Sequence, residues 1–153
     1  MPSAKPRLSA NAGPVADPMI GLDTNVLVRY LAQDDKAQAA SATRFIETHL
    51  SERSPGFISL VVLVELCWVL QKLYGATTSE LSETVADLLA TPQFKLQARE
   101  AVQDAVRALR AGKSGKTGFA DFLISRIALR EGCSSIVSFD RAAIRYAGMT
   151  SVE

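Results

Sequence analysis

Short, nearly all-apolar runs in this chain alternate with longer stretches of helical periodicity, and few architectures accept that pattern. Residues 19–22 (MIGL), 57–60 (FISL) and 135–138 (SIVS) read as strands. Residues 94–97 and a last segment after Met149 are further strand candidates. Between them, 36–50, 61–74, 79–90, 99–111 and 119–131 read as helices, followed by a short one at 141–146. Asp23-Thr24-Asn25 closes the first strand and opens a helix, Thr77 or Thr78 opens another, and Gly75, Pro92 and Gly132 mark stops. Parallel strands are covered on both faces, and so become short and apolar rather than alternating. Strand–helix alternation of this kind predicts an α/β three-layer sandwich: a mostly parallel sheet of four or five strands with helices on both faces.

The chain has 153 residues, enough for one domain and too few for two ordinary ones. Residues 1–18 are rich in Pro, Ala, Ser and Gly without a hydrophobic period, and are expected to form a flexible leader to a domain at 19–153. Seventeen Lys and Arg against sixteen Asp and Glu leave a net charge of +1, so overall charge does not name a partner. Cys67 and Cys133 are far apart and there is one histidine, His49, which is poor material for a thiolate or imidazole metal site. Two buried, reduced thiols in a cytoplasmic protein are expected instead. The longest apolar run, 58–70, is shorter than a bilayer requires and carries a carboxylate, so no membrane span is expected.

Four acids are placed informatively. In sheets of this class, ligands bind beyond the carboxyl ends of the strands. Asp23 ends the first strand, Asp140 follows the last clear one, and Asp121 lies in the first turn of a helix. From 58 to 70 only Ser59 and Glu65 are not apolar, so Glu65 is expected on a helix that is greasy all round. A carboxylate there is costly unless paired or metal-bound. Taken singly, Asp23 and Asp140 are explicable as helix caps and Asp121 as a complement to a helix dipole. Taken together, the four are expected to converge on one cleft, where mutual repulsion calls for a cation. Hard divalent ions such as Mg²⁺ or Mn²⁺ take oxygen ligands of this kind. The chemistry that follows is metal-assisted phosphodiester hydrolysis.

The strings MIGLDTNVLVRYL, FISLVVLVELCWVL, GFADFLISRIAL and SSIVSFDRAA resemble, in order and spacing, the successive acidic motifs of PIN domains. Within that superfamily they are most similar to VapC-type toxins of bacterial toxin–antitoxin pairs. The resemblance covers nearly everything from Met19 onward. It implies that Asp23 and Asp121 are direct metal ligands, that Glu65 and Asp140 complete the shell directly or through water, and that Asn25 and Ser138 support the carboxylates. Relatives often carry Thr where Ser138 stands, which keeps the hydroxyl. The resemblance further implies Mg²⁺ dependence, RNA cleavage, a homodimer or a dimer of toxin–antitoxin heterodimers, and a cognate antitoxin that covers the groove.

Other signals carry less. The string RAGKSGKT at 110–117 contains GKT, but a phosphate-binding loop needs Gly where Arg110 stands and a strand before it. Lys113 and Lys116 in that loop, with Arg126 and the helix arginines Arg29 and Arg130, are the RNA-contacting candidates. Trp68, inside the apolar run, is expected in the core. Two rivals stay open. One is an aspartate-dependent phosphatase or phosphoryl-transfer protein using Asp23, although Asn25 stands where its usual partner acid would be. The other is a non-cleaving RNA- or protein-binding module.

Overall fold

The structure, a computed structural model, describes residues 18–111 and 117–153. The chain runs β1 (Ile20–Gly21), α1 (Thr24–Ala32), α2 (Lys36–His49), β2 (Gly56–Ile58), α3 (Leu60–Tyr74), α4 (Thr78–Ala90), β3 (Phe94–Leu96) and α5 (Arg99–Arg110). It continues with α6 (Phe119–Arg130), β4 (Val137–Ser138), α7 (Arg141–Tyr146) and β5 (Thr150–Ser151). The architecture is the expected α/β sandwich, with seven helices among the described residues and every strand pair parallel.

Local chemistry sets the element ends. Asp23 caps α1 by accepting from the Thr24 N–H at 2.9 Å, and Ser59 caps α3 by accepting from the Val62 N–H at 3.2 Å. Thr77 and Glu80 form a reciprocal capping box at the start of α4. Gly75 ends α3 in the left-handed region at φ 66°, which a side chain would strain. Gly56 is required by close approach, since a Cβ there would lie 2.7 Å from Leu22 Cδ1 and 2.8 Å from Leu50 Cδ1.

The strands divide into two sheets, a three-stranded one in the order β1-β2-β3 and a two-stranded one of β4 and β5. β4 pairs with β5 and not with β1, so the five strands do not form one continuous sheet. Strands of two residues carry little register information of their own, so the apolar runs left this division open. β2 lies between its neighbours with Gly56 and Ile58 buried, while the edge strand β3 turns Lys95 outward. The core gathers Leu27 of α1, Ile46 of α2, Leu63 and Leu66 of α3, Val85 of α4, Val102 of α5 and Leu123 of α6. α5 packs between α4 and α6, and α3 meets both α1 and α6.

Three expectations are corrected here. Trp68 is 56% exposed rather than in the core. Cys133 is exposed and only Cys67 is buried, its thiol pushed up to about 12 by that burial. Glu65 is exposed, so its charge does not bear the burial cost expected of it. One physical reason covers Trp68 and Glu65. The apolar residues of α3 encircle the helix, but neighbouring elements cover only the side of Leu63, Leu66, Cys67 and Leu70.

Candidate metal centre

Three of the four acids sit at helix N-termini, and each commits one oxygen there. Asp23 Oδ1 accepts from the Thr24 N–H. Asp121 Oδ2, in the first turn of α6, accepts from the Gly118 N–H at 3.1 Å. Asp140 caps α7, its Oδ1 accepting from the Ala142 N–H at 2.8 Å and the Ala143 N–H at 3.1 Å. The ordinary capping role of Asp23 and Asp140 is therefore real, and Asp121 likewise bonds the backbone at the start of its helix. It leaves one oxygen of each carboxylate without a hydrogen bond among the described residues.

Glu65 stands apart. It lies six residues beyond the Ser59 cap, about 9 Å down α3 at 1.5 Å per residue. Its side chain lines a groove between α3 and α6 with Val61, Val64, Trp68, Ala120 and Ile124. It makes no hydrogen bond or ion pair with a described residue.

Among the described residues, no three His, Cys, Asp or Glu side chains lie together as a group that holds a metal. Asp23 follows β1 of the larger sheet and Asp140 follows β4 of the smaller one. In donor type the set fits a hard divalent cation, since all four acids offer carboxylate oxygen and three present it at a helix N-terminus.

Of the supporting residues, Ser138 bonds the Asp140 backbone rather than its carboxylate: its Oγ accepts from the Asp140 N–H at 2.9 Å in the turn between β4 and α7. Asn25 is exposed and lines a different cavity between α1 and α2, with Arg29, Gln38 and Phe45. Arg29 donates to Gln38 at 2.7 Å and to Asp34 at 3.1 Å. Arg130 is engaged with Glu100 at 2.9 Å and Asp104 at 2.7 Å, which ties α6 to α5. Arg126 is half-buried on α6, close enough to Asp104 to help hold its carboxyl below the usual range. Lys113 and Lys116 lie outside the described residues. Sequence reasoning passed over Arg99, Gln103, Arg107 and Arg110, which line one groove between α4 and α5. Their spacing of four, four and three along a helix was the available signal.

The sequence pattern of the PIN domain matches residues 20–149, a span that takes in β1 to α7 and all four acids. No protein of curated function matches the chain. The match covers most of the sequence. The chain belongs to the PIN domain family, whose fold is that of metal-dependent nucleases.

Proposed function

We propose that this protein is a Mg²⁺-dependent endoribonuclease acting in the cytoplasm as the toxin of a VapC-type toxin–antitoxin pair. The observation that carries the reading is the set of three aspartates at helix N-termini, each with one oxygen tied to backbone N–H and the other free, within a PIN fold. Asp23 and Asp121 are the direct metal ligands, and Asp140 and Glu65 complete the shell directly or through water. Ser138 holds the Asp140 backbone. A divalent ion bound there, Mg²⁺ or Mn²⁺, supplies a water of lowered pKa and charge stabilisation at the phosphate. The protein's own part is to orient the carboxylates, so that one of them accepts the proton of the attacking water.

The toxin role, the antitoxin and a homodimer follow the similarity of the four acidic strings to VapC-type toxins. A protein partner is supported by the groove of α3 and α6, where Val61, Trp68 and Ile124 are exposed side by side. No helix among the described residues is long and apolar enough to cross a membrane.

Cleavage of total cellular RNA by the purified chain tests the reading, with Mg²⁺, with excess chelator, and with Asp121→Asn. The asparagine keeps an oxygen for the Gly118 N–H and so spares the helix start. Discrete fragments that require both the metal and Asp121 are expected. Equal cleavage in chelator or by the variant, or none by the folded wild-type chain, overturns it.

A further inference from the structure

The groove between α4 and α5 has a volume of about 430 Å³ and is lined by Leu89, Ala90, Arg99, Gln103, Arg107 and Arg110 among others, with no carboxylate and no aromatic ring in its wall. Arg99, Gln103, Arg107 and Arg110 form one stripe along α5. The acids of the same helix do not line the groove. Glu100 and Asp104 are taken by Arg130 of α6 at 2.9 and 2.7 Å. Within the groove Arg99 is anchored, donating to the Leu89 carbonyl at 2.6 Å. Arg107 directs one nitrogen to Asp104 at 3.1 Å and keeps its other donors, and Arg110 makes no ion pair with a described residue.

The ordinary explanation for such a stripe is the helix dipole, which favours cations at the C-terminal end. It accounts for Arg107 and Arg110. Arg99 opens α5, where that helix disfavours a cation, and is held instead at the C-terminal end of α4 through the Leu89 carbonyl, so two helix ends bring their cations to one groove. The stripe spans about 16 Å at 1.5 Å per residue. At the ~3.4 Å per charge of one duplex strand that is at most about five phosphate steps, and fewer for a more extended single strand. Guanidinium forks match phosphate oxygens two at a time.

We propose that the α4–α5 groove is a track for the phosphate backbone of single-stranded RNA, separate from the carboxylate site and feeding it. This rests on the nuclease reading for its purpose, though not for its test. Without an aromatic platform the track has no means of stacking bases, so binding is independent of sequence and steeply dependent on salt.

The test is binding of a labelled single-stranded oligouridylate to the full chain in excess chelator, followed by fluorescence anisotropy across a salt series. Gln103→Glu/Arg110→Glu is compared with wild type and with Lys72→Glu, an exposed charge change on α3 outside the groove. The double variant is expected to bind about tenfold more weakly, with a log–log salt slope shallower by about 0.7 for each phosphate that the groove no longer neutralises. Lys72→Glu is expected to stay within about twofold. Should charge reversal lower the melting temperature, Arg107→Gln/Arg110→Gln gives the same comparison without adding negative charge. Unchanged affinity and slope, an equal loss in Lys72→Glu, or binding of polyglutamate in preference to the oligonucleotide overturns the proposal. Because chelator suppresses cleavage, loss of nuclease activity with intact binding would fell the nuclease reading and leave the track standing.

Discussion

Two grooves flank the central helices and differ in almost everything except shape. The one between α3 and α6, of about 600 Å³, is walled by Val61, Val64, Trp68 and Ile124 and holds a single charge, Glu65. The one between α4 and α5, of about 430 Å³, has three arginines and no acid. Both are open surface channels of one small α/β domain, so the difference is written in side chains and not in backbone. An apolar channel with one unpaired carboxylate stays exposed only if something is to cover it or bind the acid. A channel of guanidiniums whose helix hands its acids to Arg130 is arranged to hold negative charge that arrives from outside. In the proposed function the first groove belongs with the chemistry and protein contacts, and in the proposed track the second grips a polyanion.

The comparison can be broken in order of effect. Leu123 is 2% exposed beneath the α3–α6 groove, and Leu123→Ala is expected to cost about 2–5 kcal/mol in denaturant unfolding. Arg110→Gln in the other groove should stay within about 0.5 kcal/mol. Similar costs for both would mean that the arginines are structural. Next, Glu65 has no partner among the described residues, so Glu65→Gln is expected to leave the melting curve unchanged while slowing RNA cleavage about 10–100-fold. A destabilised variant, or one of full activity, removes Glu65 from the site.

The smallest effect concerns the acids kept out of the arginine groove. The Arg130 hydrogen bond holds the Asp104 carboxyl below its ordinary value of 3.8. A depressed folded-state pKa contributes stability above the unfolded value and loses it as pH falls through the folded one. The stability gap between wild type and Arg130→Gln is therefore expected near neutral pH and to close in acid below about 3.8. A gap that stays constant with pH would show that Arg130 acts through packing alone.

Much of this arrangement was legible before the fold was seen. Asp23 and Thr77 announce helix starts because short oxygen-bearing side chains satisfy free N–H groups, and the structure uses both that way, whereas Ser59, read as part of a strand, caps α3. The alternation of apolar runs gave the parallel α/β class because parallel strands are covered on both faces. What a linear pattern does not carry is which face of a helix finds a cover. Trp68 and Glu65 both lie on α3, whose hydrophobicity promised burial on every side, and both face solvent. Nor do two-residue strands state their neighbours, so the separation of β4 from β1 could not be read from residues 135–138. The arginine stripe was visible as spacing, but that Glu100 and Asp104 are bonded by Arg130 of α6 is something only packing reveals.

The central claim is that acids capping different helices share one divalent ion, although no three of them stand together among the described residues. Mn²⁺ binding, followed by electron paramagnetic resonance on the wild-type chain, Asp23→Asn and Asp121→Asn, tests it most directly. The expected result is saturable binding in the wild type and binding at least about tenfold weaker in each variant, with unchanged melting temperatures. Equal binding in all three, or none by the wild type at millimolar Mn²⁺, would contradict the account.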